Sequence, residues 1–274
     1  MDLRQSKEFA QHMKLSGWIV EKADNCYVYL RKLPLFPPLI MKIQYPPPPI
    51  PFEKIEKLAK KYKPFQIQIQ PLKMELDFKK YGYKLIGGGG HVTKTIQIDL
   101  TQSEKKILSQ MKKDTRYSIR KAEEQALQII KSTHLEKFRQ TWKKSVGWQK
   151  YVPSLKSLGL LKKAFGEKAV FLLASSLGGT IILLTDKTAY YYYAFTSKEG
   201  RKKSAQYFLV WEAIKLAKKR GCKIFDFEGI YDPRFPIKSW KGFSHFKKSF
   251  GGREIEYPGS FVKFYNPILK FISN

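Results

Sequence analysis

Apolar residues along the chain alternate between helix-length and strand-length patterns. Residues 3–14 have helical spacing, and three strand-length runs follow within residues 18–45. Residues 52–62 predict an amphipathic helix, and FQIQIQP (65–71) alternates with the period of a strand. FKKYGYKLIGGGG (78–90) then predicts a short helix and a turn that ends in four glycines. The first third of the chain is therefore predicted to be α/β.

The glycine run lacks the Lys-Ser/Thr of a phosphate-binding loop, so we interpret it as a linker between domains. Residues 1–92 form the predicted first module, which the apolar C-terminal segment 257–274 is expected to join. Residues 93–256 form the predicted second module.

The second module repeats the mixture of strands and helices. A capping box at residues 101–104 predicts one helix that carries apolar positions as far as Ala122. LQIIKS (127–132) is a predicted strand, two basic helices follow, and residues 169–184 predict a hairpin. A strand at 188–196, a long helix and the buried strand KIFDFEGI (223–230) complete the pattern. Both halves predict antiparallel strands flanked by helices, which indicates two similar modules.

The formal net charge of +29 exceeds what solubility requires and predicts a polyanion or an anionic surface as partner. Residues 1–92 contribute 16 − 8 = +8, and residues 93–274 contribute 36 − 15 = +21. The second module is therefore the stronger candidate for binding the anion.

Other features limit the location and the cofactors. The two cysteines lie in apolar runs without metal-ligand spacing, which predicts buried free thiols in a reducing compartment. We find no signal peptide and no apolar run long enough to span a membrane, so a cytoplasmic monomer is expected, able to rest on the inner membrane face. The four scattered histidines and the missing nucleophile and dinucleotide motifs predict neither a metal nor a cofactor.

One set of motifs resembles a known family. DTRYSIRKAEEQ, YYYYAFTS, YFLVWEAIKLAKKRGCKIFDFEGI and FSHFKKSFGG are similar, in order and spacing, to elements of the Fem-type (FemABX-like) peptidoglycan peptidyltransferases. The resemblance implies two tandem modules of the GNAT acyltransferase fold. It also implies transfer of an amino acid from aminoacyl-tRNA to an amine on the stem peptide of a lipid- or UDP-linked muropeptide. Because an aminoacyl ester is already activated, such a site needs positioning and charge stabilisation rather than a catalytic triad.

The resemblance also implies site residues. Phe246 and Lys247 match the Phe-Lys pair near the reacting carbonyl, with a solvated helix face as the alternative. Tyr193, and with less support Tyr191, is expected in the acceptor pocket, on the assumption that alternate tyrosines of the run face opposite sides. Basic groups on the acceptor phosphates are expected at Lys14 and Lys150, and at the position of Lys150 an Arg is common in the family. A tRNA-facing patch, or merely a solvated helix, is expected at Arg116, Arg120 and Lys121.

The acidic candidates are less defined. Asp226 lies on a buried strand, where either a structural partner or a catalytic base is possible, and Glu228 stands where the family often has glycine. Gln70-Pro71 replaces an acid that many relatives carry before a proline, which argues against a base there. Two other functions stay open, a CoA-dependent N-acyltransferase and a non-catalytic module that binds RNA or membrane. Gly200–Ala205 does not fit the glycine-rich loop of the CoA enzymes.

Overall fold

The computed structural model describes residues 1–33, 36–74, 77–87, 92–147 and 151–265. Their contacts divide the chain into two units. Unit 1 comprises Met1–Thr93, Asp232–Pro236 and Glu256–Asn274, and unit 2 comprises Lys94–Tyr231 and Ile237–Ile255. The module boundaries predicted from sequence stay a prediction, and the two units are described separately below.

Unit 1 is built on one mixed sheet. Its helices are α1 (Lys7–Leu15) and α2 (Phe52–Tyr62), and its strands are β1 (Ile19–Ala23), β2 (Cys26–Leu33), β3 (Phe36–Gln44), β4 (Gln66–Gln70), β5 (Lys84–Leu85) and β13 (Phe261–Phe264). The strand order is β1-β2-β3-β4-β13-β5. The apolar face of α2, with Phe52, Ile55 and Ala59, is buried against this sheet, as its helical spacing predicts. β13 pairs with β4 and β5, so the C-terminal segment completes the sheet.

Unit 2 holds a second mixed sheet. Its helices are α3 (Glu104–Ser109), α4 (Lys113–Glu124), α5 (Leu135–Val146), α6 (Leu155–Phe165), α7 (Lys198–Lys202), α8 (Ala205–Lys219) and α9 (Lys241–Lys248). Its strands are β6 (Lys94–Asp99), β7 (Ile130–Lys131), β8 (Ala169–Ala174), β9 (Gly178–Leu184), β10 (Thr188–Thr196), β11 (Ile224–Gly229) and β12 (Arg253–Glu256). The strand order is β12-β6-β11-β10-β9-β8-β7.

The two sheets share one topology. In each, a three-strand antiparallel meander is followed by a crossover helix, a parallel strand and an antiparallel neighbour. The meander, helix and parallel strand are β1-β2-β3, α2 and β4 in unit 1, and β8-β9-β10, α8 and β11 in unit 2. The predicted α/β fold of two similar modules, with mainly antiparallel sheets flanked by helices, is confirmed.

Two predicted elements differ from the structure. The single helix expected between the capping box and Ala122 is two helices, because Lys112 is extended and its N–H donates to the carbonyl of Ser249. The N-cap of α3 is Ser103, whose hydroxyl accepts from the Lys106 N–H, rather than Thr101. The strand expected over 127–132 is reduced to the two residues of β7. In the helical segment, a tertiary contact and a competing cap outweigh the local pattern.

Burial agrees with the expectation for the thiols. Cys26 and Cys222 are both free and buried, and burial raises the pKa of each thiol, that of Cys26 to about 11. Among the described residues, no helix combines the length and the apolar composition needed to cross a bilayer.

Candidate active site

The site begins where two parallel strands of unit 2 stop pairing. β10 and β11 are registered over three residue pairs, and the last is Tyr190↔Asp226. Beyond this point β10 continues along β9. The carbonyls of Phe227 and Gly229, near the carboxyl end of β11, accept hydrogen bonds from the side chain of Lys247. The separation of the strands therefore makes room for a buried cation.

Lys247 lies on α9 and is only 9% exposed. Its Nζ donates to the two carbonyls at 2.7 Å each and lies over the rings of Phe243 and Tyr191, at 4.9 and 5.9 Å from their centroids. Burial lowers the pKa of Lys247 to about 8, and the carboxylates of Glu228 and Asp226 act in the opposite direction. An ammonium has three N–H donors, and two have partners among the described residues, so one is left for a ligand. A solvated helix face, the alternative for Lys247, is wrong.

A cavity of about 710 Å³ lies beside this ammonium within unit 2. Its lining residues include two cations, Arg201 and Lys247, and no carboxylate within the described chain. Such a surface suits a neutral or anionic group, because a cationic one would meet like charge without a counter-ion. The remaining walls are mainly aromatic and include Trp142, Tyr151, Tyr192, Phe195, Tyr207, Phe243 and Phe246.

Phe246 is partly buried, and its ring packs edge-on against Tyr207 and Phe250, with centroids 4.9 and 5.2 Å apart. The adjacent Lys247 turns inward to the strands, so the two predicted neighbours line the same cavity. The Phe-Lys pair thus supplies an aromatic wall and a cation to one site.

Tyr191 is held from behind by polar side chains. Its hydroxyl accepts a hydrogen bond from Gln206 Nε2 at 2.6 Å, and Thr196 Oγ1 donates to Gln206 Oε1 at 2.6 Å. Burial raises the pKa of Tyr191, so its hydroxyl stays protonated and can itself donate. Tyr191, Gln206 and Thr196 all line the cavity.

A β-bulge changes which tyrosines of the run reach the cavity. Tyr191 pairs with Ile182 and Tyr193 with Ile181, so Tyr192 is an extra residue on the bulged strand. Tyr191 and Tyr192 both line the cavity as a result. Tyr193, the tyrosine expected in the acceptor pocket, instead packs against the rings of Trp142 and Tyr192 outside the lining. Strict alternation is therefore wrong for this strand.

Asp226 lies on β11 behind the ammonium and is 4% exposed. Its Oδ1 accepts from Thr95 Oγ1 at 2.5 Å and from the Glu228 N–H at 2.7 Å, and its Oδ2 accepts from Gln97 Nε2 at 2.8 Å. Burial, followed by the Glu228 charge, raises the pKa of Asp226 to about 6. Because Asp226 does not line the cavity, its geometry favours the structural alternative over the catalytic one.

The backbone conformation at Glu228 explains why the family often has glycine at this position. Its φ is 59°, in the left-handed region that glycine occupies without strain. The ladder with β6 is irregular between Asp226 and Gly229, where this turn of the backbone occurs. Glu228 is 9% exposed and its charge favours the protonated form of Lys247.

The predicted tRNA-facing residues are on α4, and they differ from one another. Arg116 donates to the carbonyls of Ser109 and Met111 at the end of α3, which fixes the two helices together. Arg120 is exposed and Lys121 is partly buried. A role of this patch in binding tRNA stays a prediction.

Of the two predicted phosphate-binding residues, one is described, and it belongs to unit 1. Lys14 is exposed in the last turn of α1 in unit 1. Lys150 lies outside the described residues. The structure thus brings Phe246, Lys247 and Tyr191 to one cavity and leaves the roles of these two lysines as predictions.

The sequence analysis missed several lining residues. Gln206 could have been identified from the sequence, because it is a polar residue near the start of the largely apolar helix α8, most of which is buried. Trp142 and Arg201 could not, since aromatic residues on α5 and cations on α7 are equally typical of core and surface. Tyr192 could not be identified without the bulge.

Residues 174–273 match the FemAB family, which confirms the predicted resemblance to the Fem-type enzymes. Comparison with curated protein sequences found no match. The structure of FemX is similar at a TM-score of 0.82 and 16% identity, over 100% of this chain and 95% of that one. A C-terminal domain assigned to a lysylphosphatidylglycerol synthetase from Agrobacterium fabrum has a TM-score of 0.65 at 12% identity, covering 98% and 92%. A tandem GNAT protein of clavulanic acid biosynthesis has a TM-score of 0.51 at 8% identity, covering 88% and 79%. At these identities the structures establish the fold.

Proposed function

Because residues 174–273 match the FemAB family, we propose that this protein is an aminoacyltransferase acting on a peptidoglycan precursor. It moves an amino acid from aminoacyl-tRNA to an amine of the stem peptide of a lipid- or UDP-linked muropeptide. The observation that carries the proposal is the Lys247 ammonium, buried beside an aromatic cavity with one N–H donor left for a ligand.

The geometry fits the charge that develops in this reaction. The acceptor amine attacks the ester carbonyl, so the C–N bond forms and the carbonyl oxygen becomes an oxyanion. The carbonyl then re-forms, the C–O bond to the tRNA ribose breaks, and the proton lost by the amine balances the one gained by the ribose oxygen. A buried ammonium is an effective partner for such an oxyanion, because water does not screen it. The Tyr191 hydroxyl, oriented by Gln206, is a second donor on the same cavity wall.

The charge of the chain supports tRNA as the donor. A net charge of +29 favours a polyanion, and each phosphate neutralised adds salt-dependent affinity. Exposed cations such as Arg120 on α4 would contribute to this binding without taking part in the chemistry.

A CoA-dependent transferase is less consistent with the structure. That reading requires free backbone N–H groups for a pyrophosphate before the long helix of the module. Here the segment forms α7, and the N–H groups of Ser197, Gly200, Arg201, Lys203 and Ser204 already donate within the chain. Gly200 is also pressed against the Leu177 carbonyl, where an added Cβ would lie 2.0 Å from the oxygen.

The structural similarity to a domain assigned to a lysylphosphatidylglycerol synthetase suggests a lipid as a second class of acceptor. The cavity lining argues against a lysyl donor, because its two cations lack a neighbouring carboxylate among the described lining residues. We therefore expect an aminoacyl group whose side chain carries no positive charge.

The test is transfer of radiolabelled amino acids from charged tRNA to purified acceptors. UDP-linked muropeptide, lipid-linked muropeptide and phosphatidylglycerol are compared in parallel, each with neutral aminoacyl-tRNAs and with lysyl-tRNA. We expect product on a muropeptide with an amino acid whose side chain carries no positive charge, and its loss in Lys247→Met. Turnover of an acyl-CoA without any transfer from tRNA would refute the proposal, and product on phosphatidylglycerol alone would move it to the lipid class.

A further inference from the structure

One side of the helix α4 in unit 2 carries an exposed aromatic ring between two cations. Lys113, Tyr117 and Arg120 follow one another at intervals of four and three residues, the spacing that makes side chains neighbours on a helix surface. Tyr117 is 59% exposed, and Lys113 and Arg120 are exposed as well. We call these three side chains the α4 stripe.

The buried side of α4 agrees with this arrangement. The buried residues of the helix are Thr115, Ile119 and Ala122, and the last two belong to the hydrophobic core of unit 2. At 3.6 residues per turn, the α4 stripe occupies a sector of about 60°, roughly opposite the sector of the buried residues. The ring and the two cations therefore share one side of the helix and face solvent together.

No described residue neutralises or covers the α4 stripe. Lys113 and Arg120 have no ion-pair partner, and Tyr117 has neither a hydrogen bond nor a ring contact, within the described chain. Glu124, four residues after Arg120, limits the basic part of this side to the first turns of the helix. A partner that suits this surface carries negative charge on both sides of a flat group that can stack on a tyrosine ring.

The start of α4 lies beside the cavity of the candidate active site. Burial, followed by the charge of Asp114 in the first turn of α4, raises the pKa of Tyr207, and Tyr207 lines the cavity. The Lys112 N–H donates to the Ser249 carbonyl at 2.9 Å, which ties the start of α4 to the end of α9, the helix that supplies the buried ammonium. Tyr117 follows Asp114 by about one turn, a rise of about 4.5 Å. A chain that leaves the cavity past Tyr207 would therefore meet the α4 stripe.

We infer that the α4 stripe binds an unpaired nucleotide of the donor tRNA next to its aminoacylated end. Its base stacks on Tyr117, and the phosphates on either side contact Lys113 and Arg120. The reacting ester is on the terminal ribose of a single-stranded end, so the nucleotides nearest the cavity have bases free to stack. Duplex RNA fits less well, because its bases are already stacked on one another. A bilayer fits less well too, because the stripe has no aliphatic side chain to insert.

This inference rests on the proposed function and makes Tyr117 a positioning residue for the donor. Tyr117 would take no part in the chemistry. Its ring would hold the end of the tRNA so that the ester reaches the cavity, and this contact would add to the affinity for the donor alone.

The first test is binding of the full chain to a short single-stranded RNA that ends in CCA and carries 2-aminopurine at one position. Tyr117→Ala should weaken binding by about fivefold or more and reduce the quenching of 2-aminopurine, whereas Tyr117→Phe keeps the ring and should keep both. Arg120→Gln should lower the slope of log affinity against log salt by about 0.7, and Tyr117→Ala should leave that slope unchanged. Ile130→Ala and Lys163→Gln, at exposed positions of β7 and α6, are controls that should change the affinity less than about twofold.

The second test is the transfer assay with charged tRNA. Tyr117→Ala should raise the KM for aminoacyl-tRNA by about fivefold or more, with kcat and the KM for the muropeptide unchanged. Its free energy of unfolding in urea should equal that of the wild type, because the ring is exposed and makes no contact within the described chain.

The outcomes separate this inference from the proposed function. Transfer by the wild type, with RNA affinity and KM for aminoacyl-tRNA unchanged in Tyr117→Ala, would overturn the inference and leave the proposed function standing. Equal dependence on Tyr117 with duplex RNA, or loss of binding to anionic vesicles in Tyr117→Ala with unchanged RNA binding, would also overturn the inference alone. A wild-type chain that transfers nothing from charged tRNA would overturn both.

Discussion

The parallel strand pairs of the two units have the same place in the same topology, but they end differently. In unit 1, β3 and β4 are registered over five pairs, from Ile40↔Gln66 to Gln44↔Gln70. The Tyr45 N–H then donates to the Gln70 carbonyl at 2.7 Å and extends the pairing. In unit 2, β10 and β11 are registered over three pairs only.

The difference shows what converts a sheet into a candidate site. Where the strands stay together, the backbone groups that face each other are hydrogen-bonded across the pair and are not available to a ligand. Where they separate, the carbonyls of Phe227 and Gly229 need other donors, and the Lys247 ammonium supplies them. The topology that the two units share therefore does not identify the candidate site. The site is identified by the early end of the pairing between β10 and β11 and by the Lys247 ammonium that binds the carbonyls left there.

The largest effect is expected from removing that cation. Lys247→Met keeps the volume but removes the charge, and we expect the transfer rate to fall by about 10²–10³-fold. Lys248→Met is the matched control, since Lys248 is exposed and pairs with Glu254 on the surface. Steady-state transfer assays on both variants decide this. A Lys247→Met protein that folds normally and keeps its full rate would remove the ammonium from the mechanism.

The protonation of Lys247 predicts a pH dependence. Its pKa of about 8 means that the ammonium is lost as the pH rises through 8, so the rate should fall about tenfold per unit above that value. The folded-state pKa lies below the unfolded value of about 10.4, so the unfolded chain binds more protons between these values. The free energy of unfolding therefore increases with pH over this range as far as Lys247 is concerned, so deprotonation of Lys247 cannot explain a loss of activity by unfolding. A rate unchanged between pH 8 and 10, corrected for ester hydrolysis, would contradict the assignment.

A substitution of Asp226 tests whether its role is structural or catalytic. Asp226→Asn replaces one acceptor oxygen with an amide donor among three hydrogen bonds, so we expect the free energy of unfolding to fall by about 1–3 kcal/mol in urea titrations. Because the Asp226 charge favours protonated Lys247, the alkaline fall in rate should also move to lower pH. Asp186→Asn, on an exposed carboxylate, is the control. Wild-type stability with complete loss of transfer would instead make Asp226 a catalytic group.

The smallest effect is expected from the paired strands of unit 1. Gln70 donates to Ser260 Oγ at 3.0 Å, while its own Oε1 has no partner among the described residues. Gln70→Leu removes one hydrogen bond together with one unsatisfied oxygen, so the free energy of unfolding should change by less than about 1 kcal/mol. The transfer rate should be unaffected. A large loss of rate would show that this sheet also takes part in the chemistry.

Much of the fold follows from local pattern. The hairpin β8-β9, the helix α8 and the strand β11 have the lengths and apolar patterns that the sequence predicts, and β10 has the predicted length. The Phe-Lys pair could be identified because its motif is local too.

The environment of that pair could not be predicted. A lysine within FSHFKKSFGG has the pattern of a solvated face, and its burial depends on where two distant strands separate. The bulge in β10 depends on the register with β9, and the break before α4 depends on a hydrogen bond from Lys112 to Ser249. All three are set by contacts between residues far apart in the chain, which periodicity does not record.

The bulge at Tyr192 also affects how mutations can change this cavity during evolution. A substitution in the tyrosine run alters one side chain, but loss of the extra residue would restore one-to-one pairing with β9, while the residues from Tyr193 onward would keep their partners on β9 and their sides of the sheet. The cavity would lose the Tyr192 ring from its lining and keep that of Tyr191. The number of tyrosines in the run therefore decides whether a second tyrosine lines the cavity, and the deletion of one codon would remove it.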